Sequence, residues 1–167
     1  MRPSASRIPD LGPNGEGWVT MQFVGIALVV VADQLRLPML LMRGSAAMAA
    51  VALGWGLIAA GAVLFASALY LLWRAGSFTA LPRPIPTSRF VRSGPYRLVR
   101  HPVYSGLVLG AIGLALVRLS TPTLVAALLL FVILDLKRRR EEIWLAERFA
   151  EYELYRRETR ALIPLVY

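Results

Sequence analysis

Residues 88–106 of this chain read Ser-Arg-Phe-Val-Arg-Ser-Gly-Pro-Tyr-Arg-Leu-Val-Arg-His-Pro-Val-Tyr-Ser-Gly, between two strongly apolar segments. They contain His101, the single histidine of the protein, directly before Pro102. Proline is favoured in the first turn of an α-helix, where its missing N–H group would have no partner. The pattern therefore predicts that a helix begins near Pro102. We expect Arg100 and His101 at its mouth, where free N–H groups and the helix dipole favour anionic groups.

The composition of the chain indicates a membrane protein. Of its 167 residues, 57% are hydrophobic. The mean hydropathy of +0.57 is too high for an ordinary soluble domain. A formal net charge of +9 is compatible with nucleic acid or an anionic membrane face as partner, and the apolar composition favours the membrane over nucleic acid. Because there is no cysteine and only one histidine, we expect neither disulfides nor a metal site.

The apolar segments predict an all-α, polytopic membrane fold with about four transmembrane spans. The last two spans are joined by a tight turn at residues 120–122 and are expected to form a helical hairpin. Charged and aromatic residues alternate through residues 137–167, which is typical of an amphipathic helix lying in the membrane interface. Residues 1–17 are polar and predict a flexible arm. The predicted spans are residues 18–35, 45–73, 103–119 and 122–136.

The distribution of basic residues predicts the orientation in the membrane. Sixteen of the 19 Lys and Arg residues lie in the arm, in residues 74–100 or in residues 137–167. Only Arg36, Arg43 and Arg118 lie at the other ends of the spans. The positive-inside rule then places both termini in the cytoplasm of a multi-pass protein, which we expect in the inner membrane of a bacterial cell.

Residues 54–62, Gly-Trp-Gly-Leu-Ile-Ala-Ala-Gly-Ala, are dense in small side chains. Small residues let the backbones of two helices approach closely within lipid. A nucleotide-binding glycine motif would need a strand, a turn and a helix around it, and the apolar surroundings do not predict them. Close helix packing is therefore the preferred interpretation.

The pair Glu141-Glu142 follows the basic run at residues 137–140. The basic run alone is typical of an anchor at the membrane face. Anionic lipid headgroups would repel the two carboxylates, so these need a cationic partner. The cationic partner can be Arg97, Arg100 or a positively charged ligand. The residues thus predict a pocket at the cytoplasmic face for a zwitterionic, partly aromatic ligand.

At residues 100–106 the pattern Arg-His-Pro-x-Tyr-x-Gly, followed after a hairpin by Glu-Glu, resembles the signature of the isoprenylcysteine carboxyl methyltransferase family. The wider group includes the membrane phospholipid N-methyltransferases. The resemblance extends from a weak match at residues 76–79 to Ile163-Pro164. It implies that residues 74–167 form the catalytic region, made of a cytoplasmic loop, the hairpin and the tail helix, after the two spans of residues 18–73.

The resemblance further implies S-adenosylmethionine (SAM) as cofactor, held between the loop, the hairpin and the tail. It places the backbone of residues 88–91 along the cofactor. It also implies that Tyr96 and residues 101–104, at the start of the predicted helix, contact the cofactor directly. The cofactor-binding residues that it implies are Ser88, Arg89, Phe90, Val91, Tyr96, Arg100, His101, Pro102, Val103, Tyr104 and Glu141.

Glu141 and Glu142 are the candidate catalytic carboxylates. A lipid amine as methyl acceptor needs a base, whereas a carboxylate or a thiolate does not. Neighbouring residues on a helix diverge by about 100°, and Glu141 matches the cofactor-facing glutamate of the family, with Glu142 in support. Lys137 stands where the family places a substrate-facing arginine, although a lysine is a point charge rather than a bidentate fork. The spacing of Phe149 and Tyr152, three instead of four, predicts a rotated or rewound aromatic face.

The resemblance implies an integral membrane, SAM-dependent methyltransferase that acts by in-line transfer. Its acceptor would be lipophilic: an isoprenylcysteine-type carboxylate, a lipid amine or a related small molecule. Two other interpretations stay open. A sterol-reductase-like, NAD(P)H-dependent membrane reductase carries a similar Arg-His-Pro-x-Tyr element but gives Glu141 and Glu142 no use. A non-catalytic membrane interaction module of the same fold would bind neither cofactor.

Overall fold

The computed structural model describes residues 8–35, 37–39 and 43–163. The regular elements of these residues are helices, which confirms the all-α part of the predicted fold. The predicted arm before residue 8, Arg36 and the tail from residue 164 lie outside the described residues. The α-helices are α1 (Glu16–Val31), α2 (Gly44–Arg74), α3 (Pro102–Arg118), α4 (Thr121–Arg148) and α5 (Tyr152–Glu158).

The start of α3 follows from its proline. Pro102 occupies the first helical position, as the sequence predicts, and His101 is the residue before it. The helix ends at Arg118, and the next residue, Leu119, adopts a left-handed conformation with φ 49°. Ser120 then caps α4 by accepting a hydrogen bond from the N–H group of Thr123 at 3.4 Å. The two helices pack against each other, so the predicted hairpin forms.

Glycine contacts join α2 to α3. A Cβ atom added at Gly54 would lie 2.7 Å from the carbonyl oxygen of Gly113, and one added at Gly61 would lie 2.7 Å from that of Gly106. These distances are too short for any side chain larger than hydrogen. Both pairs are seven residues apart on antiparallel helices, so the backbones touch along two turns. The packing predicted from the small residues at 54–62 is confirmed.

The helices are arranged in the spatial order α2, α3, α4 and α1, with each packed on the next. Two stretches of the described residues are long and apolar enough to cross a membrane, Glu16–Leu35 and Gly44–Arg74. Helix α3 is a shorter apolar helix. The four spans and the cytoplasmic position of the termini stay predictions.

The tail differs from the expected single interfacial helix. Helix α4 continues from the apolar hairpin through the basic run to Arg148, and only a short α5 follows. The reason is local, because Lys, Arg, Glu, Leu and Ala are strong helix formers and nothing at residue 137 breaks the helix. Ion pairs from Asp135 to Arg138 at 2.6 Å and to Arg139 at 2.7 Å support the continuation one turn further on.

Candidate functional site

The loop between α2 and α3 is held over the ends of the helices. Ser77 is buried, and its hydroxyl donates to the carbonyl oxygen of Arg89 at 2.9 Å and accepts from the N–H group of Arg89 at 2.7 Å. On the other side, the Arg83 guanidinium donates to the carbonyl oxygen of Pro13 at 2.9 Å. The described part of the N-terminal arm therefore packs against this loop. These contacts fix the backbone around residues 88–91.

This loop, the mouth of α3 and the second half of α4 enclose a cavity of about 870 Å³, including the solvent at its open mouth. Ten of the eleven predicted cofactor residues line the cavity: Ser88, Arg89, Phe90, Val91, Tyr96, Arg100, His101, Val103, Tyr104 and Glu141. Pro102 is the exception, since it is fully buried as the first residue of α3 and does not line the cavity.

The mouth of α3 offers backbone donors to the cavity. The first hydrogen bond of the helix runs from the N–H group of Ser105 to the carbonyl oxygen of His101 at 3.0 Å. The N–H groups of Val103 and Tyr104 precede it and therefore have no acceptor within the helix. Because Val103 and Tyr104 both line the cavity, this helix terminus can bind an anionic group of a ligand.

Glu141 brings a carboxylate into the cavity beside that terminus. Its side chain is 22% exposed, and its Oε2 atom accepts a hydrogen bond from the Tyr104 hydroxyl at 2.7 Å. The same oxygen lies 3.7 Å from His101 Nδ1. The imidazole ring of His101 stacks on the Tyr104 ring with a centroid distance of 5.4 Å. Tyr104 and His101 thus hold Glu141 in one position with part of the carboxylate exposed.

Glu142 is placed differently and does not line the cavity. It is buried, and its Oε1 atom accepts from Arg100 Nε at 2.9 Å and lies 3.2 Å from His101 Nε2 and 3.5 Å from Arg138 Nη1. Burial alone would raise the pKa of Glu142, but the hydrogen bonds and positive charges of His101 and Arg100 lower it to about 2. Glu142 is therefore ionised at neutral pH, where it pairs with the guanidinium groups of Arg100 and Arg138.

Arg100 ties the C-terminal segment to the site. Its Nη1 atom donates to the carbonyl oxygens of Thr159 at 2.6 Å and Arg156 at 3.1 Å, in addition to the contact with Glu142. The N–H group of Arg100 donates to the carbonyl oxygen of Arg160 at 2.8 Å, so the backbones are paired as well. The Ser105 hydroxyl also contacts the C-terminal segment, because it donates a hydrogen bond to the carbonyl oxygen of Leu162 at 2.6 Å. The guanidinium of Arg100 therefore donates hydrogen bonds to protein acceptors. Its contact with a cofactor stays a prediction.

Lys137, the predicted substrate residue, also lies outside the lining of the cavity. It is only 1% exposed, and its ammonium donates to Gln22 Oε1 at 2.6 Å and to the carbonyl oxygen of Ala80 at 3.0 Å. The ammonium lies 5.2 Å from the centre of the Tyr104 ring. Lys137 therefore joins α1, α4 and the loop, and it faces Tyr104 instead of the cavity.

An aromatic wall lines part of the cavity. We use this term for Phe90, Phe149, Tyr152 and Tyr155. The Phe90 ring stacks on Phe149 at 5.2 Å and meets Tyr155 edge-on at 5.1 Å. The chain is extended at Phe149 and a new helix begins at Tyr152, so the short spacing between these residues reflects a break between α4 and α5. The spacing thus comes from a break between two helices, where the sequence predicted a rotated or rewound aromatic face.

Sequence reasoning missed several residues of the cavity. Tyr152 and Tyr155 line it, although neither is among the predicted cofactor residues. Tyr152 is 1% exposed, and its hydroxyl has no hydrogen-bond partner among the described residues. Ser77 was signalled only by the weak resemblance at residues 76–79. Within the described residues no cluster of His, Cys, Asp and Glu is arranged to hold a metal ion.

The fold is that of a helical protein with two helices long and apolar enough to cross a membrane, and its candidate ligand site lies at the ends of the apolar helices. The chain belongs to the phospholipid methyltransferase family, which residues 49–152 match. The match covers most of α2, all of α3 and α4, and the loop that carries most of the cavity. A curated relative, the cobalt-zinc-cadmium resistance protein CzcN of Cupriavidus metallidurans, is 40% identical over 75 residues, or 44% of this chain. The aligned part spans 35% of the length of that relative.

Proposed function

We propose that this protein transfers a methyl group from SAM to a lipophilic acceptor. The observation that carries the proposal is the Glu141 carboxylate, exposed in a cavity of a methyltransferase-family fold and held beside a helix N-terminus. A zwitterionic ligand with one ammonium and one carboxylate matches this pair of groups. The family supports methyl transfer, whereas the nature of the acceptor rests on the apolar surroundings of the site.

The residues of the cavity fit SAM in three respects. Glu141 can pair with the ammonium of the amino-acid part, and the N–H groups of Val103 and Tyr104 can bind its carboxylate. The aromatic wall offers ring faces to a flat heterocycle and to a positively charged sulfur. The buried Tyr152 hydroxyl still lacks a partner among the described residues. Burial raises the pKa of Tyr152, so this hydroxyl keeps its proton and can donate to a ligand acceptor.

When bound, SAM supplies an electrophilic methyl group whose transfer removes the positive charge from sulfur. The protein's part is to align the two reactants and to exclude water, since such a displacement needs little acid–base assistance. Three elements provide the alignment: Ser77 fixes the loop, Arg100 fixes the C-terminal segment, and Glu142 fixes Arg100 and His101. For an amine acceptor, Glu141 is the carboxylate in position to accept a proton.

Titration of the purified protein in detergent tests the proposal. We expect calorimetry to detect binding of SAM and of S-adenosylhomocysteine and no binding of NADPH. Radiolabelled methyl from SAM should then enter a total lipid extract, prenylcysteine or a small thiol. Binding of NADPH without SAM would indicate the reductase, and binding of neither would indicate the interaction module. Either result would overturn the proposed function.

A further inference from the structure

An apolar groove of about 710 Å³, including its open mouth, lies along the apolar parts of the helices. It forms because α1 packs on α4 while α2 packs on α3, so that α1 and α2 flank a channel with α3 as its floor. Its lining contains aliphatic side chains, Phe65 and glycines, and no charged residue. An apolar molecule can therefore lie in the groove without desolvating any charge.

The groove begins one helical turn beyond the cavity described above. On each of α2 and α3, four residues at spacings of four, three and four share one helix face. The residue nearest the loop lines the cavity, and the other three line the groove. One helical turn, about 5.4 Å, separates the two sets. The rows are Leu69, Phe65, Ala62 and Ile58 on α2, and Val103, Leu107, Gly110 and Leu114 on α3.

We propose that the groove holds the hydrocarbon chain of the methyl acceptor and that Gly110 determines the length of chain that fits. The inference rests on the proposed function and names the part of the acceptor that function leaves open. The reacting group of the acceptor must reach the cavity, and a chain attached to it meets the apolar groove directly beyond. Gly110 lies seven residues from Val103, or about 10 Å along the helix. Longer chains must pass it, and shorter chains end before it.

Gly110 differs from the glycines that join the helices. A Cβ atom at Gly61 or Gly106 would lie 2.7 Å from a backbone oxygen of the facing helix, whereas one at Gly110 would meet no heavy atom within 4 Å. A larger side chain at Gly110 therefore narrows the groove without separating α2 from α3. Gly56 on α2 also has no heavy atom within 4 Å of an added Cβ atom, but it does not line the groove. It supplies the matched control.

The test measures methyl transfer by the full-length protein in lipid nanodiscs. The acceptors are N-acetylcysteines with S-butyl, S-octyl and S-dodecyl chains, and the corresponding n-alkylamines. For the wild type we expect KM to fall as the chain lengthens. Gly110→Leu should raise KM for the dodecyl acceptor by about tenfold, as when roughly two methylene groups lose apolar contact. The butyl acceptor and the Kd of SAM should be unaffected, and Gly56→Leu should match the wild type throughout.

Binding of radiolabelled N-acetyl-S-dodecylcysteine, measured without turnover, separates this inference from the proposed function. Loss of binding in Gly110→Leu but not in Gly56→Leu supports the groove even if no acceptor is methylated, in which case the proposed function fails alone. Equal behaviour of the two variants overturns the role of Gly110. Transfer that does not depend on chain length overturns the groove and leaves the methyltransferase intact.

Discussion

Glu141 and Glu142 are adjacent in sequence, yet their surroundings give them different tasks. Glu141 has one protein donor, the Tyr104 hydroxyl, and an exposed side toward the cavity. Glu142 is surrounded by Arg100, His101 and Arg138. A charge already paired with two guanidinium groups and an imidazole offers little to a ligand, whereas a partly exposed carboxylate can pair with a ligand cation.

We therefore expect Glu141→Gln and Glu142→Gln to separate binding from stability. Removing a charge-assisted hydrogen bond to the cofactor costs about 1.5–3 kcal/mol, so Glu141→Gln should raise the Kd of SAM by about tenfold or more. Glu142→Gln should leave that Kd within about threefold for the folded fraction but destabilise the protein by about 3 kcal/mol, because buried cations lose their partner. Calorimetry and thermal unfolding measure the two effects.

The pH dependence of unfolding provides the control for this pair. The pKa of Glu142 is lowered from 4.5 to about 2, so its contribution to stability is present above pH 4.5 and is lost as the pH falls toward 2. This acid-dependent loss should be smaller in Glu142→Gln than in the wild type. A larger effect of Glu142→Gln than of Glu141→Gln on SAM affinity would contradict the assigned roles.

Among the elements, α2 and α3 form the most closely packed pair, and their contact positions the helix mouth. Gly61 meets Gly106 only four residues beyond Pro102, in the first turns of α3. A change in the distance between these helices therefore shifts Val103 and Tyr104 relative to the loop. Packing in the apolar part of the bundle thus sets the geometry of the polar site.

Gly61→Ala should test this coupling with the smallest possible change. Its methyl group would meet the Gly106 carbonyl oxygen at 2.7 Å, so we expect destabilisation by about 1–3 kcal/mol through overpacking. Gly56→Ala adds the same methyl group where no heavy atom lies within 4 Å and should leave stability unchanged. Thermal unfolding in one detergent measures both. Equal melting temperatures would show that the helix contact is looser than the structure indicates.

The sequence predicted elements where the signal is local and missed them where it is not. Pro102 predicts the start of α3 because proline is favoured in the first turn of a helix, and the glycines of α2 predict close helix packing. The continuation of α4 past residue 137 was missed because the change from apolar to charged residues suggests the end of a helix. The charged residues are themselves strong helix formers, so the helix does not end there. Tyr152 was missed because neither glycine nor proline marks the break before α5. The Arg100 contact with Thr159 joins distant residues, and no spacing rule predicts it.

At the scale of the whole molecule, the polar features collect at one end of the bundle. The end of α2, the start of α3 and the second half of α4 meet there, together with the cavity and the C-terminal segment. At the other end Arg118 donates to the carbonyl oxygens of Val29 at 3.3 Å and Val30 at 2.8 Å. The antiparallel packing of α2 on α3 therefore separates an end rich in ionic contacts from an end with fewer charged side chains among the described residues, which is the kind of asymmetry that the positive-inside rule describes.

This asymmetry predicts which end faces the cytoplasm. The chain has no cysteine, so single cysteines can be labelled without background. Thr87 is exposed in the loop over the cavity, and Ser45 is exposed at the opposite end, in the first turn of α2. We expect a membrane-impermeant maleimide to label Ser45→Cys on intact cells and Thr87→Cys only after permeabilisation, because basic loops stay in the cytoplasm. Labelling of Thr87→Cys on intact cells would reverse the topology and place the cavity outside, where a cytoplasmic methyl donor does not reach it.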